Sequence, residues 1–578
     1  MNANLTLTNF DRLMNKFKHL VHMKNLYLIL LLTLNVSQSI SQPIPFNSSI
    51  PSSGFYYQFV DTIVKKGLRN AGSPVDVWVE NYGISLFNSY GLQGVTTQSI
   101  PIQSWQVNSA IVKVTSNSGV QELSLFPQSF VDWSDTISAP WVKFDSTTAF
   151  SAVAGKIVIV DYKLDQFAPS AFAPSVIYTY DPDNNINNTV HPQPLPHRSN
   201  ASGALIGQIL SRQPKAIICV LNNFYNTDKL WGLYSRTDSI YDIPCFWMSR
   251  GNAQTLNTIS TSDPNATLSL EFSTQDNPVN TRNVYGILPG NSSQYIVFNS
   301  HHDGQFYGAT EDAAGISLVA AQAKYWSQVP QSQRPFNMVF LWDAAHLKQS
   351  IGSEFFVDNT PNIINNTLLC FTLETPSLEG RVLNGNLKTL NRPEPRWFYT
   401  TDTLSLRQSL YNAVQTEDLR RTFVAPPTLN GSSPIGDSHA FYNAGIPIVA
   451  HLSTPVWYMA GADSTDKLDT ASMDKITRTV IRMIWNLPNI TGIPSFEKAN
   501  FSIYPNPSND NVIVSGLNIN NTGEYVIINL AGIELIKGKF QNTQDIKINL
   551  SGLASGMYLI KINDPKGQAI AINRLIKN

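Results

Sequence analysis

The sequence predicts an α/β protein: a doubly wound mixed sheet followed by a small C-terminal β-sandwich. Three observations predict it. Between residues 283 and 485, continuous apolar runs of strand length alternate with helical patterns, the signature of strands buried on both faces. Beyond residue 500 the pattern becomes short alternating strands with Gly and Asn at the turns. The 578 residues are 42% hydrophobic and only 14% charged, an apolar fraction ordinary for globular protein, which excludes bulk disorder.

The N-terminus comes first. Lys16, Lys18 and Lys24 precede an apolar stretch from Leu26 to Leu34, and small residues follow at Ser37, Ser39 and Ser41. A basic start, a short apolar run and a small-residue exit describe a signal peptide and leader over 1–41, with Met23 an alternative start. The run is well under the roughly 20 apolar residues a membrane-spanning helix needs, and no later stretch reaches that length. Export follows. With 40 basic against 41 acidic residues, no basic field for nucleic acid or anionic membrane exists. Cys219, Cys245 and Cys370 each sit in an apolar run and read as buried thiols; three cysteines make no disulfide framework and no thiolate zinc site.

Residues 42–144 form the N-terminal part of the main domain, with a helix carrying Val75, Val79, Tyr82 and Leu86 that Gly91 stops, then short β-type runs. The stretch 145–275 behaves as its own unit, with strand-like runs at Gly155–Val160, Ala216–Leu221 and Ile243–Ser249. Over 276–490 the strands are Tyr295–Ser300, Phe336–Trp342, Thr367–Leu373 and Ile446–Leu452, with helices at Asp312–Gln328 and Met473–Trp485. Residues 491–500 read as a linker and 501–578 as the sandwich.

In doubly wound sheets, ligands bind at the carboxyl ends of the strands. The first strand runs into Ser-His-His-Asp-Gly, where His301 and Asp303 form an H-x-D pair; the carboxylate suits a ring-fixing role behind a metal-ligating imidazole. Glu311 and Asp312 follow at an expected helix N-terminus. The second strand ends in Trp-Asp-Ala-Ala-His (342–346), the third at Glu374, and the fourth leads to Trp457–Asp469. GSS and GDS occur at 431–433 and 436–438, but no GxSxG elbow follows a strand, and no phosphate loop is present.

On these motifs, together with Arg69–Pro74 and Asn283–Gly290, the chain resembles the zinc exopeptidase family of aminopeptidase Y and glutamate carboxypeptidase II over roughly 55–490. The resemblance implies a zinc-exopeptidase type of sheet and a protease-associated domain inserted at 145–275. It also implies two zinc ions sharing an Asp, with a Glu-Glu pair whose first member is general base and whose second is a ligand, and a late ligand His. Carried over residue by residue, His301, Glu311 and Glu374 are the expected metal ligands, with Asp303 behind His301. The two Glu positions are Asp in the family pattern. The Glu-Glu pair falls on Ala345–His346 or on His346–Leu347, and the late His falls on Met459. His346 is therefore a surrogate base, and one Zn2+ per chain at most is expected, because Met459 is a poor substitute for imidazole. The function this implies is a pseudo-peptidase binding peptide or glycan. The alternative is an active zinc-dependent exopeptidase with a mononuclear or altered site.

The tail carries FSIYPNPSND (501–510), SGLASG (551–556) and GMYLIKI (556–562). It resembles the type A sorting domain of the type IX secretion system of Bacteroidetes. That implies passage through the periplasm to the outer-membrane surface or the medium, with the secretion machinery as partner.

Overall fold

The computed structural model describes residues 43–578 apart from 129–133, 196–199, 232–242, 402–403, 432, 488–501, 517–521, 530–533, 542, 544 and 564–568. The expected signal peptide and the 491–500 linker lie outside the described residues. The chain divides into two units, 1–47 and 48–578, and the sheets and the site all belong to the second.

The main sheet has eleven strands and is mixed. Its site-bearing part consists of β1 (Gln93–Ser116), β2 (Thr267–Leu288), β3 (Tyr295–His301), β4 (Asn337–Asp343), β5 (Thr367–Leu373), β6 (Arg396–Thr400), β7 (Thr422–Ala425) and β8 (Ile448–Ser453). The spatial order is β1-β2-β4-β3-β5-β8-β6-β7, with β4, β3, β5 and β8 mutually parallel. These four are buried over nearly their whole length, which is why they read as unbroken apolar runs. Helices α1 (Ala314–Gln328), α2 (Ile351–Asn359) and α3 (Thr470–Asn486) pack on the sheet or on one another. The Asp469 carboxylate caps α3 by accepting from the Ser472 amide.

The β-type region expected before Trp141 begins with one 24-residue strand, β1, paired along almost its whole length with β2, and short strands follow at Gly119–Ser124, Phe126–Pro127 and Ser134–Ala139. Ser99, Pro101 and Gln103 are exposed on one face of β1, so the polar residues there are the solvent side of a continuous strand.

The region expected as an insert builds a separate five-stranded sheet from Phe126–Pro127, Trp141–Phe144, Ile157–Tyr162, Ala216–Leu221 and Cys245–Met248. The first two of these strands precede residue 145. Another segment, Tyr178–Tyr180, leaves the insert and pairs with β7 at the edge of the main sheet. All three cysteines are free and buried.

A buried ionic knot fastens the insert to the main domain. Glu379 accepts from Arg392 Nε at 2.7 Å, Arg381 Nε at 2.9 Å and Arg421 Nη2 at 2.6 Å, and also from Thr189 of the insert at 3.1 Å. Burial pushes the Glu379 carboxyl up, but hydrogen bonds from Arg392 and Arg381 with the charge of Arg421 outweigh it and hold the group below its usual range. A depressed folded-state pKa gives stability that is complete above the unfolded value and is lost as pH falls through the folded one. Denaturation of wild type and Glu379→Gln should therefore differ most at neutral pH and converge below about pH 4. A gap that stays constant down to pH 3 would contradict this account.

The C-terminal module has its own core. A three-stranded sheet (Ser502–Tyr504, Asn511–Ser515, Asp545–Asn549) faces a four-stranded one (Thr522–Asn529, Glu534–Gln541, Gly556–Asn563, Ala569–Lys577). Val512, Val514, Ile527, Ile546, Ile548, Ile560 and Ile562 fill the space between. No helix among the described residues is long and apolar enough to cross a membrane.

Candidate metal centre and cleft

The carboxyl ends of β3, β4 and β5 bring the expected residues together. His301 ends β3, and the chain then turns through a loop held by Arg69. This buried guanidinium donates from Nε to the His302 carbonyl at 3.0 Å, from Nη1 to the Tyr307 carbonyl at 2.9 Å, and from Nη2 to the Gly308 carbonyl. A Cβ at Gly304 would stand 2.4 Å from Arg69 Nη2, so only glycine lets the loop close on the arginine. Glu311 and Asp312 lie in non-helical backbone just before α1, not in its first turn as expected. Asp463 fixes that segment by accepting from the Thr310 amide and hydroxyl, each at 2.8 Å, and from the Glu311 amide at 2.9 Å.

His301 and His346 stack with ring centroids 3.9 Å apart and 9° between planes. His301 Nε2 lies 3.4 Å from Glu311 Oε1, and His346 Nε2 lies 3.8 Å from the same oxygen. Asp303 does more than stand behind His301: its carboxylate accepts from the His346 amide at 3.0 Å and so joins the β3 and β4 ends. Glu374, at the tip of β5, accepts from the Asp437 amide at 3.0 Å and lines the cleft. Asp437 is a site residue that the sequence does not single out. Its Oδ2 sits 3.0 Å from His346 Nδ1, and His301, His346 and Asp437 offer ligand-type atoms all within 4.8 Å of one another.

The electrostatics describe a crowded acid pocket. Burial, against the counter-pull of His301, holds Asp312 well above the carboxylate range. Burial and the neighbouring Asp437 push Glu374 up to about 7. Burial opposes charge on both imidazoles, yet Asp303 and Glu311 raise His301 well above its ordinary value, and Asp437 raises His346 to about 9. Burial and the neighbouring Asp437 hold Asp343 well above the usual carboxylate range.

The residues present fit a divalent cation. His301 Nε2 and both Glu311 oxygens are buried without a hydrogen-bond partner. Such bare atoms are costly unless something ligates them. The neighbouring lobe is different. Leu347 and Met459, the positions that fall on a second-metal Glu and His, pack in one apolar cluster with Trp105, Leu195, Trp231 and Phe306. Ala345, the other candidate for the Glu-Glu register, is buried elsewhere with Ala71, Ile100 and Ala344. Packing therefore puts His346–Leu347, not Ala345–His346, beside the other site residues.

An open cleft of about 820 Å³ adjoins the centre. His346, Glu374, Thr375 and Met459 line it, together with Tyr399, Leu452, Phe167 and Leu195. Phe172 and Trp397, also in the lining, meet edge to face with ring centroids 5.6 Å apart. Among the described residues no Lys or Arg lines it.

A mixed doubly wound sheet with imidazoles and carboxylates at its strand ends defines a protein of the metallo-exopeptidase fold class. Residues 283–484 match peptidase family M28, and residues 502–578 match the secretion system C-terminal sorting domain, so both resemblances read from the sequence hold. Among solved structures, a peptidase M28 precursor from Shewanella amazonensis SB2B is 16% identical, with 76% of this chain and 94% of that one covered at a TM-score of 0.55. A zinc aminopeptidase from Bacillus subtilis is 14% identical, with 77% and 96% covered at a TM-score of 0.53. At these identities the likeness establishes the fold. No curated protein matches the chain. The sorting domain marks an exported protein, destined for the cell surface or beyond it through the type IX machinery.

Proposed function

We propose that the chain is an exported pseudo-peptidase that binds peptide or glycan, holds at most one Zn2+ and has lost the two-zinc mechanism. The observation that carries this reading is the filled lobe: Leu347 and Met459 pack against Trp105, Trp231 and Phe306 where a second cation and its ligands would need polar space. The cleft beside it stays open and lined by aromatic and aliphatic side chains, which suits retention of a peptide. His301, Glu311 and Glu374 are the sequence-derived set that would hold the one cation, which would polarise the carbonyl of a bound peptide. What the chain's own residues supply is orientation: Asp303 and Asp463 hold the loops that present His301 and Glu311.

Metal analysis of the purified protein tests the reading. At most one equivalent of zinc is expected, with micromolar or tighter binding of unblocked peptides or glycans measured by calorimetry. Two tightly held equivalents would overturn it. A second reading, hydrolysis with His346 as proton acceptor, is favoured by the Asp437 partner of that ring. Chelator-sensitive peptidase activity lost in His346→Ala would establish that reading instead.

The route of export is also open to test. The chain is taken to cross the inner membrane on the 1–41 signal and the outer membrane on the 501–578 module. Because that module has its own core, truncation after Asn489 should leave a folded peptidase-like domain that accumulates in the periplasm. Arrival of the truncated protein in the medium would show that the tail is not the export signal.

A further inference from the structure

His301 and His346 come from different strand ends, yet they are held alike. Each ring offers Nδ1 to an aspartate: His301 Nδ1 lies 3.0 Å from the Asp303 carbonyl and 3.3 Å from its carboxylate, and His346 Nδ1 lies 3.0 Å from Asp437 Oδ2. Each directs Nε2 toward the same atom, Glu311 Oε1, at 3.4 and 3.8 Å. An imidazole fixed at Nδ1 by a carboxylate has its tautomer and orientation set for ligation through Nε2. Glu311 is 1% exposed, and neither of its oxygens has a hydrogen-bond partner. Two oriented imidazoles converging on a bare buried carboxylate is a ligand arrangement, and a proton acceptor needs no such convergence.

We propose that His346 is itself a metal ligand, completing with His301 and Glu311 a two-imidazole, one-carboxylate site for a single divalent transition cation, with Asp303 and Asp437 as positioning residues. This rests on the one-cation reading above and changes which residues hold the ion. His346 leaves the base role, and Glu374, whose Oε1 is engaged by the Asp437 amide, leaves the ligand set. The donor set selects Zn2+, Fe2+, Co2+ or Cu2+ over Mg2+ and Ca2+, which favour all-oxygen sites.

The test uses the full metal-free chain. Calorimetric titration with zinc gives the stoichiometry and so judges the one-cation reading separately. One equivalent of Cu2+ followed by electron paramagnetic resonance counts ligating imidazoles in the wild type without any substitution. Two coordinated imidazole nitrogens are expected. His346→Gln and Glu311→Gln should each weaken zinc binding about 100-fold, and Asp437→Asn about 10-fold, in the range for ligand-supporting partners. Circular dichroism establishes that each variant is folded. A single imidazole in the wild-type spectrum, or a larger affinity loss from Glu374→Gln than from His346→Gln, would overturn the proposal even with one ion bound. Absence of any binding would overturn it and leave the reading of at most one ion standing.

Discussion

The double variant Leu347→Glu, Met459→His is expected to be severely destabilised without zinc and to hold a second zinc equivalent with it. Leu347 and Met459 are each 3% exposed in a cluster with Trp105, Trp231 and Phe306. Placing a carboxylate and an imidazole there removes apolar packing and buries polar groups with no partner, together roughly 3–5 kcal/mol. A cation bound between them offsets that loss by mass action, so zinc should raise the melting temperature of the variant far more than that of the wild type. Adding His346→Glu restores the family base. Peptide hydrolysis need not return with it, because Glu311 stands where the family has the shorter Asp. The wild type should turn over aminoacyl and dipeptide reporters negligibly. Thermal unfolding with and without zinc, beside metal analysis, checks the result. A double variant as stable as wild type in chelator would mean that the lobe is not the packed cluster described.

Arg69→Ala should be among the most damaging single changes outside the centre itself. Three carbonyls, those of His302, Tyr307 and Gly308, lose a charged donor at once, and all lie in the loop between His301 and Glu311. Hydrogen bonds to a charged group are each worth about 1.5–3 kcal/mol, so a loss of roughly 3–5 kcal/mol is expected after relaxation. Arg69→Lys should recover little, since an ammonium cannot present a planar fork to three acceptors. Urea denaturation measures the loss, and zinc affinity should fall with it, because the same loop spaces His301 from Glu311. Full retention of stability in Arg69→Ala would refute the role.

The strands of the metal centre are legible in the sequence because burial on both faces writes itself as unbroken apolar residues, and β5 is bounded to the residue. The site is half legible. Strand ends, a local signal, pick out His301 and Glu374, while the ligand roles expected of His301, Glu311 and Glu374 come from the family resemblance. Asp437 does not: its GDS tripeptide reads only as a serine motif, and its partner His346 is 91 residues away. The choice between Ala345 and Leu347 at the Glu-Glu positions also needs packing, since a one-residue shift in a loop leaves no periodic trace. The helix expected from Asp312, with Glu311 at its N-terminus, begins only at Ala314, because the small residues there are equally at home in a turn. The strand Tyr178–Tyr180 is three residues long, too short for alternation to show, so its escape into the main sheet is invisible until the fold is seen.

The ribbon of β1 and β2 governs how the cleft can be used. At one end β2 pairs with β4, from Val284 opposite Trp342 to Leu288 opposite Met338, inside the main sheet. At the other end Val112, Val114, Leu268 and Leu270 belong to the hydrophobic core of the insert. One pair of strands, bulged between Val107 and Ser109, is thus anchored in two cores, and the Glu379 knot adds a second tie. With both ends of the ribbon anchored, a ligand would meet cleft walls already in place and would spend little of its binding energy on rearranging them. The loops carrying Phe167, Phe172 and Leu195 can consequently change their residues while the segments carrying His301 and Glu311 keep their geometry. Such a scaffold diversifies its recognition by resurfacing one group of loops.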